Sequence, residues 1–134
     1  MVGAGYSAAT SVRNLLCGGA EKIFWVTRRK CSAGGLYDVI EDDVLRDREA
    51  LCRESNALIV TSSSESRVLH LGGKQVIAMK LLENNRGVQV TLESLPLGDE
   101  EELDSSETDE IEVDFAIINT GLRPNNSLHD ELQV

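Results

Sequence analysis

In the first half of the chain, apolar residues recur at helical spacing in two segments, and one short, continuous apolar run lies between them. Gly18-Gly19 stands where a left-handed cap would end the first of these helices. Residues 23–26, Ile-Phe-Trp-Val, are typical of a strand that is covered on both faces. After a glycine-containing loop at residues 31–41, residues 43–60 predict a second helix. The apolar face of the first helix consists of Ala8, Val12, Leu15 and Leu16.

The middle of the chain predicts three antiparallel strands at residues 67–71, 75–82 and 88–93. Turn-forming residues separate them, with Gly72-Gly73-Lys74 in the first gap and residues 84–87 in the second. The third strand alternates apolar and polar residues, as a strand with one exposed face does. The pattern therefore predicts a three-stranded meander packed on the face of the sheet opposite the helices.

The acidic residues are concentrated before the last apolar run. Among 134 residues with a formal net charge of −10, residues 99–112 hold nine acids and no basic residue, so the rest of the chain is nearly neutral. Because like charges repel and apolar periodicity is missing, residues 98–112 are interpreted as a mobile loop that is dispensable for stability. The apolar residues 113–118 then predict a final strand.

Composition narrows the classes of function. The negative charge argues against general nucleic-acid binding, because phosphates attract a positive surface. No apolar run reaches the roughly 18 residues of a membrane span, and no secretory signal is visible. The cysteines Cys17, Cys31 and Cys52 and two histidines lack the spacing of a zinc site. We therefore expect free thiols, no bound metal and a cytoplasmic protein.

The residues Gly3-Ala4-Gly5-Tyr6-Ser7-Ala8 fit the G-x-G-x-x-A turn of dinucleotide-binding proteins. In such a turn Gly3 permits the sharp bend between strand and helix. Gly5 lets the backbone approach a pyrophosphate, and Ala8 lets the helix pack closely on a strand. A purely structural glycine turn is the alternative.

The first turn of the predicted helix, which contains Tyr6 and Ser7, would offer unpaired N–H groups to phosphate. Only Met1 and Val2 precede the glycine turn, which is too few residues for a first strand. We therefore interpret the first strand as truncated and the chain as a fragment of a longer protein.

A basic turn, Thr27-Arg28-Arg29-Lys30, ends the first apolar strand. In a dinucleotide-binding fold this position meets the adenosine ribose, where an acidic residue favours NAD and basic residues favour NADP. Thr27 stands where that acid would be, and Arg28, Arg29 and Lys30 follow it. A solvated basic turn that aids solubility is the alternative.

A third polar segment, Asn119-Thr120-Gly121, follows the last apolar run. A glycine after a strand allows the backbone to approach a ligand, and ligands of open α/β sheets bind beyond the strand ends. Thr120 and Gly121 therefore join the candidate site.

Together, these segments resemble the FAD-dependent pyridine-nucleotide oxidoreductases, the two-dinucleotide-binding flavoproteins that include thioredoxin-reductase-like and flavin-monooxygenase-like enzymes. Residues 2–10 are similar to the second glycine motif of that family, and residues 23–30 to its strand ending in paired arginines. Residues 115–124 are similar to its A-T-G segment and following R-P pair, with Asn119 in place of the alanine. The resemblance covers most of the chain and includes the meander.

The resemblance implies an α/β, Rossmann-like parallel sheet with flanking helices and a three-stranded antiparallel meander. It implies a single NAD(P)H-binding module that prefers NADP(H) and delivers hydride to flavin. The FAD-binding module would then be a missing part of the same protein, and this chain alone would be inactive as an oxidoreductase. The residues identify no acid, base or nucleophile.

Two other functions remain open at this stage. The first alternative to the NADPH-binding module is a non-catalytic interaction protein that retains the scaffold and uses the acidic segment as its contact surface. A nucleoside-cofactor transferase with a similar glycine turn would keep the fold and change the ligand.

Overall fold

The computed structural model describes residues 1–83, 86–96 and 107–121. This part of the chain is an α/β structure with a two-stranded parallel sheet and a three-stranded antiparallel sheet. No helix in the described ranges is long and apolar enough to span a membrane. The elements in chain order are α1 (Tyr6–Cys17), β1 (Ile23–Thr27), α2 (Arg46–Val60), β2 (Val68–Gly72), β3 (Lys74–Leu81), β4 (Val88–Ser94) and β5 (Thr108–Val113).

Helix α1 ends at the predicted glycine pair. Gly19 adopts a φ of 86°, a left-handed conformation that glycine adopts without strain. The Gly19 N–H donates to Leu16 O and the Ala20 N–H to Leu15 O, at 3.2 and 3.0 Å. These bonds satisfy carbonyl groups that the end of the helix leaves open, and they direct the chain into β1.

The chain start is part of the parallel arrangement. Val2 forms parallel bridges to Val26 of β1 on one side and to Ile118 on the other. The Gly3 N–H donates to Val26 O at 3.0 Å, and the Asn119 N–H donates to Val2 O at 2.7 Å. The backbone before the glycine turn therefore lies between β1 and the segment that leads to Thr120 and Gly121.

The parallel strands are covered on both faces. On one face α1 and α2 bury a cluster around Trp25, and on the other the antiparallel sheet buries Val90 and Leu92 against Val26. Strands with two covered faces are continuously apolar, which explains the Ile-Phe-Trp-Val run of β1. The helix-side cluster consists of Ala9, Val12, Ile23, Trp25, Leu36, Leu51, Ile59 and Val68.

The predicted composition of the meander is wrong in its first strand. Residues 67–71 were expected to pair with 75–82, but β2 pairs in parallel with β1 over its whole length. The physical reason is burial, because Val68 packs into the helix-side cluster while Leu71 packs against the antiparallel sheet. Gly73, with a φ of 71°, then carries the chain from one sheet into the other.

The position of the last strand is also corrected. The predicted strand at residues 113–118 is replaced by β5, which pairs with β4 as the third strand of the meander. Residues 108–112 are therefore not a loop, and residues 98–106 of the predicted acidic loop lie outside the described residues. The reason is a period of two, because Ile111 and Val113 pack on the core while Glu110 and Glu112 face solvent.

Candidate functional site

The three predicted segments meet in one cleft of about 1030 Å³ beside the glycine turn. Strand β3 forms the opposite wall with residues 74–79. The cleft therefore lies where the ends of the parallel strands face the antiparallel sheet. The predicted site residues that line it are Gly3, Gly5, Ser7, Arg28, Arg29, Thr120 and Gly121.

Gly3 is required by close packing of the turn itself. Its φ is 134°, and a Cβ added there would lie 2.0 Å from Asn119 O. Asn119 is fixed in turn, because its Nδ2 donates to Ser11 Oγ of α1 at 3.0 Å. The indole Nε1 of buried Trp25 donates to Gly3 O at 2.9 Å. The turn is therefore held from both neighbouring segments.

Gly5 has open space beside it. It is the N-cap of α1, its φ of −84° is available to any residue, and no side chain caps the helix. A Cβ added at Gly5 would meet nothing within 4 Å. The first N–H groups of an α-helix have no partner within the helix, so this end attracts an anion. Gly5 and Ser7 present that end of α1 to the cleft.

Three predicted site residues lie outside the cleft lining. Ala8 is fully buried behind the glycine turn, where it allows the close approach of helix and strand. Tyr6 is half exposed, and its ring stacks on Tyr37 with centroids 6.1 Å apart. Lys30 lies across Gly73, where an added Cβ would be 2.6 Å from Lys30 Cε.

The basic turn is fixed from beneath by Thr27. This residue is only 1% exposed, and its hydroxyl donates to Arg29 O at 2.7 Å and contacts His70 Nε2 at 2.8 Å. The side chains of Arg28 and Arg29 remain exposed, and neither forms an ion pair with a described carboxylate. Arg29 Nη2 donates weakly to Leu36 O at 3.5 Å.

The charges that line the cleft are all positive. Arg28, Arg29 and Lys74 line it, and no acidic residue does so within the ranges that the structure describes. Lys74 is ion-paired with Asp109 and donates to Ser94 Oγ at 3.1 Å, so the two arginines are the available cations. In a chain of net charge −10, this separation of charge favours an anionic ligand in the cleft.

Sequence reasoning missed the aromatic residues behind the turn. Tyr37 donates its hydroxyl to Gly5 O at 3.3 Å and packs on Trp25, while the His70 ring meets Trp25 edge-on. Burial raises the pKa of Tyr37 to about 12, so the hydroxyl stays a donor at neutral pH. Trp25 was visible only as part of an apolar strand, and Tyr37 only as part of a loop, because their partners are distant in sequence.

His70 predicts a loss of stability in mild acid. Burial lowers its pKa below the ordinary value of 6.5, so the unfolded chain binds a proton more readily than the native protein does. The free energy of unfolding should therefore fall as the pH drops below about 6.5, until the native histidine is also protonated. Chemical denaturation between pH 7.5 and 5 should show a smaller decline for His70→Gln. Equal declines would show that other groups cause the acid sensitivity.

Comparisons of the chain with known proteins add no relative. No family model, curated protein or solved structure matches it.

Proposed function

We propose that this chain is a dinucleotide-binding module that prefers NADPH to NADH, within an FAD-dependent oxidoreductase. The observation that carries the proposal is the convergence of the glycine turn, the basic turn and the Thr120-Gly121 segment on one cleft. The proposal includes the interpretation of the parallel sheet as Rossmann-like. It is supported by the parallel order in which the Val2 backbone lies between β1 and Ile118.

The space beside Gly5 fits a pyrophosphate. A side chain would fill this space, and glycine leaves it open at the N-terminal end of α1. The uncapped N–H groups of the helix and the Ser7 side of the cleft would hold the phosphate oxygens. Gly3 has a different part, which is to let the turn pass close to Asn119.

The basic turn fits a 2′-phosphate. Arg28 and Arg29 line the same cleft, and no described carboxylate neutralises them. Arginine can bind a phosphate through two parallel N–H bonds, whereas a ribose hydroxyl offers no comparable charge. Thr27 cannot replace the acid that favours NAD, because its hydroxyl is directed inward to Arg29 O.

The nicotinamide would supply the hydride chemistry when bound, and the residues of this chain would bind and orient it. The flavin-binding module that would accept the hydride is part of the proposal, and none of the described residues is assigned to it. Most of the acidic segment also lies outside them, so no structural observation favours the interaction-protein alternative.

The preference can be measured by titrating the 134-residue chain with NADPH and with NADH. A charge-assisted bond contributes roughly 1.5–3 kcal/mol, so with one or two such bonds NADPH should bind about tenfold to several-hundredfold more tightly. The double substitution Arg28→Ala and Arg29→Ala should remove most of that preference and leave NADH affinity within about twofold. The pair Arg46→Ala and Arg53→Ala on α2 is the charge-matched control, because it changes the net charge equally away from the cleft. It also breaks the ion pair of Arg53 with Glu49, a helix-surface pair that contributes little to stability.

Three outcomes would contradict the proposal. Equal affinities of the wild-type chain for the two nucleotides would remove the basis for NADPH preference. An equal effect of both double substitutions would reduce the role of the arginines to net charge. Binding of neither nucleotide would leave the interaction-protein and transferase alternatives.

A further inference from the structure

The proposed function uses Arg28 and Arg29 but leaves unexplained the polar pair beneath them. We propose that His70 and Thr27 are positioning residues that set the preference for a 2′-phosphate by fixing the backbone of the basic turn. This inference rests on the proposed function and extends it to two residues that do not line the cleft.

The hydrogen bonds form a directed series. The Thr27 hydroxyl has one proton, which it donates to Arg29 O at 2.7 Å. The contact of 2.8 Å between Thr27 Oγ1 and His70 Nε2 therefore requires His70 to donate from Nε2. The geometry assigns the neutral Nε2–H tautomer and connects β2 to the carbonyl group of Arg29.

His70 is itself held in place. Its backbone N–H donates to Ser62 Oγ at 2.7 Å, and its ring meets the Trp25 ring edge-on at 6.4 Å. Gly72 gives the ring room, because an added Cβ would lie 2.8 Å from His70 Cε1 and 3.2 Å from Arg29 O. The imidazole, the end of β2 and the basic turn are thus packed together.

This packing gives the pair a specific effect on ligand choice. Arg28 and Arg29 are exposed side chains with long stems, and a fixed backbone reduces the entropy that they lose on binding a phosphate. NADH has no 2′-phosphate, so its affinity would not depend on how firmly the backbone of the basic turn is fixed. Loss of the pair should therefore weaken NADPH binding more than NADH binding.

The test compares substitutions that remove the bonds with substitutions that retain them. Thr27→Val and His70→Leu remove a hydroxyl and a ring donor, whereas Thr27→Ser and His70→Gln retain a donor. The first two should reduce the ratio of NADPH to NADH affinity by about three- to tenfold, the equivalent of one hydrogen bond. The second two should stay within about twofold of wild type. Thr61→Val is the control, because it removes a bond to Ala57 O at the end of α2.

The possible results separate this inference from the proposed function. A wild-type chain without NADPH preference would overturn the proposed function, and the positioning role with it. A normal preference that survives Thr27→Val and His70→Leu in folded protein would overturn the positioning role alone. An equal loss of both nucleotides would reduce the pair to a structural role and would also overturn it.

A second readout needs no nucleotide. Nitrogen NMR of the imidazole should find His70 as the Nε2–H tautomer in the wild-type chain, and Thr27→Val should shift the Nε2 resonance. Detection of the Nδ1–H tautomer would remove the series of bonds on which the inference depends.

Discussion

Replacing Gly3 with alanine is expected to lower the stability of the chain by about 2–6 kcal/mol. The new Cβ would lie 2.0 Å from Asn119 O, and the φ of 134° would be strained for any L side chain. Asn119 cannot move aside easily, because its side chain bonds to Ser11. Overpacking and backbone strain each cost about 1–3 kcal/mol, which together remove much of a typical stability of about 5–15 kcal/mol. Thermal unfolding followed by circular dichroism measures the loss.

Replacing Gly5 with alanine should separate binding from folding. The change fills open space, and the backbone already has a φ of −84°, so no strain arises. Alanine is a poorer N-cap than glycine but stiffens the unfolded chain, and these opposing effects should leave stability within about 1 kcal/mol. Affinity for NADPH and for NADH should fall together, by at least about tenfold, because the methyl group occupies the space proposed for the pyrophosphate shared by both.

The two glycines therefore test different statements. A Gly3→Ala chain as stable as wild type would show that the turn is not packed against Asn119. A folded Gly5→Ala chain with unchanged affinities would show that the ligand does not approach Gly5. Comparison with Arg28→Ala and Arg29→Ala adds a further distinction, because those substitutions should affect NADPH alone.

The local elements of the fold could be predicted because their signals are local. Gly18-Gly19 ends α1 through bonds to the last helical turn, and the apolar run of β1 reflects burial on both faces. Both are encoded within a few residues. The same holds for the glycine turn, where Gly3 follows from the backbone shape and the close packing at its position.

Strand pairing could not be predicted in the same way. The Gly72-Gly73 dipeptide was interpreted as a hairpin turn, but Gly73 joins two different sheets, and only the packing of Val68 and Leu71 reveals this. Strand β5 was hidden because its two inward apolar residues are embedded among acids. Whether such a segment forms a strand depends on the partner β4, which local composition does not describe.

The hydrogen bonds that hold the candidate site in place also join residues that are far apart in the sequence. Trp25 reaches Gly3 and His70 reaches Thr27 across 22 and 43 positions of sequence. A histidine in a strand and a tryptophan in an apolar run have many ordinary explanations, and only the three-dimensional structure brings them to the glycine and basic turns.

The second large effect is expected at Asn56 of α2. Asn56 Oδ1 accepts hydrogen bonds from the Leu36 and Tyr37 N–H groups at 2.9 Å, and its Nδ2 donates to Tyr37 O at 2.7 Å. Asn56→Ala would leave three backbone groups without these partners. Each unsatisfied group costs about 1–3 kcal/mol when water cannot replace the bond. The Leu36 bond is buried, but the two Tyr37 bonds are only partly buried and water can replace part of them, so we expect a total loss of about 3–5 kcal/mol. Urea denaturation of the wild-type and substituted chains measures it.

Asn14→Ala is the matched control, because Asn14 is exposed on α1 and alanine is the strongest helix former. That substitution should leave stability unchanged or raise it slightly.

The Asn56 substitution should also act on the glycine turn, since it frees Tyr37, whose hydroxyl donates to Gly5 O. With burial reduced, the pKa of Tyr37 should fall from about 12 toward the ordinary value of 10.0, which an ultraviolet titration detects. Equal stabilities of the two variants would mean that other contacts hold the Tyr37 loop, and the glycine turn would then not depend on Asn56.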